Sequence, residues 1–228
     1  MKQELPDMKA QEDKYIFSDE TDYSIESKAS VWGTEEQLTI DCIEKANISG
    51  VWLNLCAGDG RFNKLLLEKA DKVIAADIDI NPLNKLKRNT PNNLQNKLEI
   101  LTMNVVDEFP LPNNELDGIF CTGTLHLFPE DILCKIATQI ERVLKTNGVL
   151  IIDFATDINR VKPDGTNWVL KNEPSYSLSE AEKLLKDIFS NYKNEMEFGI
   201  SEPEQVDLGD KKYMFSANYI LLKATKIN

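Results

Sequence analysis

The stretch VWLNLCAGDGRF, Val51 to Phe62, decides the fold. Its opening apolar run predicts a buried strand, the small residues around Gly58 and Gly60 predict a turn, and Phe62, Leu65 and Leu66 then recur at the i, i+3, i+4 spacing of one helix face. A strand that passes through a glycine turn straight into a helix lets backbone approach a ligand closely. Seventeen positions after Gly60, the next apolar strand, KVIAAD, ends in Asp77, where a parallel sheet presents an acid to a ribose. One carboxylate has two oxygens and can meet both hydroxyls of a vicinal diol. Asp79, two positions on, is the alternative acceptor, and an acid after a strand also serves as a turn former or helix cap. Turn and acid together point to an adenosine-containing ligand.

The same turn limits which adenosine ligand fits. A dinucleotide site needs G-x-G-x-x-G, and Asn63 stands where the third glycine would be. A G-K-[ST] phosphate loop is also missing. S-adenosylmethionine, with a ribose, an amino-acid tail and no phosphate, matches this inventory.

Four blocks in order, LNLCAGDGR, VIAADIDINPL, MNVVDEFPLPNNELDGIFCTGTLHLFP and VLKTNGVLIIDF, resemble the class I S-adenosylmethionine-dependent methyltransferases across residues 50–156. The resemblance implies a Rossmann-like α/β fold: a doubly wound, mostly parallel seven-stranded sheet of order 3-2-1-4-5-7-6, helices on both faces and a C-terminal antiparallel strand. It implies S-adenosylmethionine as cofactor and a methyltransferase reaction. Carried onto this chain, the cofactor positions are Asn54, Cys56, Ala57, Gly58 and Gly60 in the first turn, Asp77 with Ile78 after the second strand, and Thr122 after the fourth. Asn104 and Val105, after the third, are expected to recognise adenine through an amide oxygen and an apolar face, though Asn is also a common turn former. Two positions depart from the family pattern: Asn54 replaces an acid and Cys56 the first glycine. Weaker donor binding is the expectation from both.

Methyl transfer relies chiefly on alignment of the incoming nucleophile, and a base matters only when that nucleophile arrives protonated. His126, the one histidine, follows the fourth strand and is the catalytic candidate; the alternative is a histidine packed at a helix start. In the family that the chain resembles an N-terminal helix covers the cofactor pocket, which makes Trp32 a candidate lid and substrate-binding residue, or a packing residue. Arg160, with Lys162, is a candidate anchor for a substrate carboxylate or phosphate, or a solvated base. Trp168 and Tyr176 are candidates for an aromatic wall or for core packing.

With 228 residues the chain has room for one α/β domain, expected over 34–228, preceded by an acidic segment over 1–33 that is partly disordered or a lid. Thr34 and Gln37 predict a capping box for the first helix, and Ser177 with Glu180 another for the last. Strand 5 is expected over Val149 to Asp153, and a closing hairpin near Glu195–Ile200 and Tyr213–Thr225. The polar N-terminus and the lack of a membrane-length apolar run point to the cytoplasm. Cys42, Cys56, Cys121 and Cys134 have no metal-ligand spacing, so no metal site is expected; all four read as reduced and buried, with Cys56 and Cys121 near the cofactor. A net charge of -12 argues against nucleic acid and favours a small-molecule acceptor, while Lys85, Lys87 and Arg88 read as a solvated helix face. Competing readings are a nicotinamide-dependent oxidoreductase and an S-adenosylmethionine-binding module without catalysis. Sequence leaves the oligomeric state open.

Overall fold

The structure, a computed structural model, describes Tyr23 and residues 36–169, 173–208 and 211–227. The helices are α1 (Gln37–Lys45), α2 (Asn63–Lys69), α3 (Ile80–Asn89), α4 (Glu130–Val143) and α5 (Leu178–Ile188). The strands are β1 (Val51–Leu55), β2 (Lys72–Asp77), β3 (Leu98–Thr102), β4 (Leu116–Cys121), β5 (Leu144–Val161), β6 (Tyr192–Ile200), β7 (Glu204–Leu208) and β8 (Lys211–Lys226). They form one sheet of order β3-β2-β1-β4-β5-β8-β6, with β7 also paired to β8. Neighbours among β1 to β5 run parallel, whereas β8 is antiparallel to β5, β6 and β7.

This is the expected topology with one strand more. β5 reaches Val161, well beyond the expected Asp153, because β8 pairs with it as far as Met214 across a register shift between Thr156 and Asn159. β6 covers β8 only from Asn218 onward, and β7 pairs with its earlier part, Lys211 to Phe215. The acidic run from Glu195 to Asp210 hid β7, since it offers little hydrophobic alternation to read.

Alternation within the central strands splits the core in two. Trp52, Phe120 and Ile151 face one layer with Phe62 and Leu66, while Leu53, Ile119, Ile152 and Phe154 face the other with Ile136, Ile140 and Leu185. α1, α2 and α3 thus cover one face, and α4 and α5 the other. α5 carries the expected capping box: Glu180 N–H donates to Ser177 and the Ser177 N–H donates back to Glu180. α1 has Glu36 as its N-cap; Thr34, Trp32 and, apart from Tyr23, the segment 1–33 lie outside the described residues.

Three lysines distant in sequence close helix C-termini, where carbonyls lack intrahelical partners and the dipole is negative. Lys69 Nζ donates to Ile43 O (2.7 Å) and Ala46 O (3.0 Å) at α1. Lys97 Nζ reaches Leu67 O (3.1 Å) and Ala70 O (2.8 Å) at α2. Lys226 Nζ reaches Glu141 O (2.7 Å) and Leu144 O (2.8 Å) at α4. No described helix is long and apolar enough to cross a membrane.

β1 and β4 approach closely because Gly118 faces Trp52, where an added Cβ would lie 2.3 Å from the indole Cε2. Gly118→Ala is therefore expected to lower unfolding stability by about 1–3 kcal/mol through overpacking. Urea denaturation measures it; an unchanged midpoint contradicts the packing described.

Candidate functional site

Strand order reverses at β1, so the chain leaving β1 and the chain leaving β4 diverge and open a crevice at the carboxyl edge of the sheet. Its floor is the turn after β1. Cys56, Gly58 and Gly60 all have left-handed backbone, with φ of 56°, 52° and 86°. That geometry costs a side-chain-bearing residue such as Cys56 about 1–2 kcal/mol. Gly60 is required for a second reason: a Cβ there would lie 2.6 Å from Leu86 Cγ. Gly58 faces open space, with nothing within 4 Å of the Cβ it lacks, which leaves room for a ligand against the backbone.

Asp77 stands beside this turn. Its Oδ2 accepts the Gly58 N–H (2.8 Å) and its Oδ1 the Asp79 N–H (3.1 Å). Burial pushes its carboxyl above the usual range, and those amides pull it back. Asp79, the alternative, is engaged as the N-cap of α3, accepting from Asn81 N–H at 2.9 Å. Ile78 lies half-buried between them. Asn104 Oδ1 accepts the Val106 N–H at 3.2 Å, the turn-forming arrangement, and Val105 beside it is buried.

Asn54 Nδ2 donates to Asn63 Oδ1 at 3.1 Å, both side chains buried. The expected acid and the third dinucleotide glycine are thus replaced by one amide pair beneath the turn. Cys56 is half-buried and Cys121 buried; the neighbouring Cys56 thiol and burial push Cys121 well above the usual thiol range. Ala57 is buried and Thr122 half-buried. All four cysteines are free thiols, but Cys134 is exposed, because it lies on the outer side of α4.

Lys85 corrects the solvated-face reading. Only Lys87 and Arg88 of that trio are exposed; Lys85 points inward and its Nζ sits 2.7 Å from Asp59 Oδ2, inside the turn. Periodicity alone assigns a lysine outward, and no local signal marks a buried acid 26 residues earlier.

Beyond β4, His126 lies in the short 3-10 turn Leu125–Leu127 and is 8% exposed. Its ring meets Phe154 edge-on at 6.2 Å, and its Nδ1 is buried with no hydrogen-bond partner among the described residues. Burial, helped by the Arg160 charge, presses its pKa down to about 3, so the ring is neutral. Arg160 is neither solvated nor free: its guanidinium grips Glu173 with both terminal nitrogens, at 2.6 and 2.8 Å, beside the Phe215 ring. Lys162 is exposed. Tyr176 packs edge-on against Phe154 and donates to Phe128 O (2.9 Å), while Trp168 packs on Tyr213.

Sequence reasoning passed over Asp153. It is 4% exposed, in the middle of β5 beside the end of β4, and accepts the Gly123 N–H at 2.5 Å. Burial raises its pKa to about 7, the Glu36 carboxylate adding to the shift, while the Gly123 amide and Arg61 oppose it. Glu36 and Arg61 pair at 3.3 Å nearby. A lone acid ending an apolar strand was the available signal. No cluster of three or more metal-ligating side chains occurs among the described residues.

The profile of a family described as "Methyltransferase domain" matches residues 53–152. No curated protein sequence matches the chain significantly. Among solved structures, the YcgJ protein from Bacillus subtilis is 14% identical with a TM-score of 0.62, over 84% of this chain and 97% of that one. A DhpI complex with S-adenosylhomocysteine is 18% identical with a TM-score of 0.54, over 93% and 95%. Phosphoethanolamine N-methyltransferase 1 of Haemonchus contortus, in complex with phosphoethanolamine and S-adenosylhomocysteine, is 14% identical with a TM-score of 0.63, over 97% of this chain and 48% of that one. At these identities the likenesses establish the fold.

Asp153 makes stability depend on pH. An acid whose pKa is higher folded than unfolded keeps a proton that the unfolded chain has lost, so stability declines as pH rises from about 4 to about 7 and stays lower above. Asp153→Asn is expected to gain on the wild type across that window, most at pH 8. Thermal melts from pH 5 to pH 8 measure the gap; a gap that does not widen contradicts the assignment.

Proposed function

We propose that this chain, whose residues 53–152 match the methyltransferase-domain profile, is a class I S-adenosylmethionine-dependent methyltransferase that methylates a small-molecule acceptor seated at the end of β4, against β5. The observation that carries the acceptor's place is His126: a neutral, buried imidazole whose Nδ1 lacks a partner at the edge where ligands meet such sheets. A buried acceptor nitrogen left unsatisfied costs free energy unless something supplies the missing hydrogen bond.

S-adenosylmethionine, when bound, supplies a methyl group activated on a positive sulfur. The protein's own part is to hold and align. Asp77 accepts from the ribose hydroxyls, with Ile78 at its side. Asn104 and Val105 meet the adenine. Asn54, Cys56, Ala57, Gly58, Gly60 and Thr122 line the remainder of the donor's path. His126 accepts an O–H or N–H from the acceptor and so aims the nucleophile's lone pair along the in-line path. With so low a pKa it orients far better than it stores a proton, and the released proton passes to water.

Arg160 is taken as a wall of this site, its guanidinium engaged by Glu173 through both terminal nitrogens. The phosphoethanolamine named for the Haemonchus enzyme is therefore not carried over; only the class of small acceptor is.

Incubation with methyl-labelled donor and fractionated cell extract tests the reading, with label expected in the small-molecule fraction. Label confined to RNA or protein would refute it. Asp77→Ala is expected to weaken S-adenosylhomocysteine binding about 10–100-fold by calorimetry, as loss of a charge-assisted hydrogen bond or two implies. His126→Asn is expected to lower turnover about 100-fold while leaving that binding within about twofold. Full turnover in His126→Asn removes histidine from the mechanism.

A further inference from the structure

We propose that the buried ion pair between Asp59 and Lys85 is a positioning device for the methyl donor, holding the Gly58–Gly60 turn in its binding shape against α3; this rests on the crevice above β1 and β2 being the donor site. The pair is closed off from water. Its nitrogen and oxygen are 2.7 Å apart, and the side chains are 2% and 1% exposed. Lysine is almost never buried this far without a partner, and a buried pair contributes little net stability over apolar residues of the same size. What a charge pair supplies that apolar packing does not is direction: one distance and one orientation are strongly preferred.

Location shows what that direction is applied to. Asp59 lies between two glycines in left-handed geometry, the pair of positions with the most backbone freedom in the crevice. Lys85 lies on the helix that begins just after Asp77, and the neighbouring Leu86 is the side chain against which Gly60 closes. The turn is thereby tied to the β2 side at three successive residues. Ala57 N–H donates to Ala76 O (2.8 Å), Gly58 N–H to Asp77 Oδ2 (2.8 Å), and Asp59 pairs with Lys85. The first two ties fix the entry to the turn; its far side is closed by Gly60 N–H to Ala57 O (2.9 Å) and Asn63 N–H to Gly60 O (3.0 Å), and the third tie, with Leu86, joins that side to α3.

Removing the third tie leaves Gly58 and Gly60 to sample other conformations, and binding must then order them. The resulting loss falls on donor affinity, and it is separable from folding. Lys85→Met alone strands a buried carboxylate. The uncharged double variant, Asp59→Asn with Lys85→Met, keeps the volume and leaves no buried charge unpaired.

The test compares wild type, the double variant and Lys85→Arg by calorimetry with S-adenosylhomocysteine, by thermal melting, and by hydrogen exchange of the 57–60 amides without ligand. The double variant is expected to melt near the wild-type temperature yet bind about tenfold more weakly, with 57–60 amides exchanging about tenfold faster and those of β4 and β5 unchanged. Lys85→Arg, which keeps the charge, is expected to restore most of the affinity. Binding within about twofold of wild type in the double variant, or wild-type exchange in the turn, overturns the proposal and reduces the pair to a folding element. Failure of the wild type to bind the ligand, with fast turn exchange still seen in the double variant, would instead sink the donor-site reading.

Discussion

Parallel pairing of β1 with β2 on one side and β4 on the other is the constraint on which the remaining architecture depends. Parallel neighbours cannot be joined by hairpins, so each connection must cross a face of the sheet, and it does so with one hand. α2 crosses one face between β1 and β2, and α4 the other between β4 and β5. The chain therefore parts at the end of β1, and the gap so created is the crevice.

Within that crevice the electrostatics follow from how each charge is compensated. Arg61 is paired with Glu36 and Arg160 with Glu173. Asp77 and Asp153 receive backbone amides, and among the described residues neither has an ion-pair partner. Burial raises the pKa of both, that of Asp153 to about 7, so the edge carries less negative charge than two ordinary carboxylates would.

Substitutions in the turn illustrate how a motif tolerates departure. Asn54 and Asn63 exchange an acid and a glycine for a buried amide pair, and Cys56 accepts left-handed backbone with its thiol beside Cys121. Each change is absorbed by a neighbour in three dimensions, and the open face at Gly58 is kept.

Sequence by itself determined the order of the strands apart from β7, the glycine turn, the Ser177–Glu180 cap and the placement of Asp77 at the end of β2. These features are written in spacings of two to four residues, the range over which backbone geometry repeats. Only the tertiary structure decided that Lys85 is buried against Asp59, that Arg160 is spent on Glu173, that Lys69, Lys97 and Lys226 close distant helices, and that β7 pairs with the projecting start of β8. Lys226 meets carbonyls more than eighty residues away. Such contacts join charges and edges that lie far apart along the chain, and they have no periodicity to read: a lysine bound for the core and one bound for water look alike until the fold brings a partner to one of them.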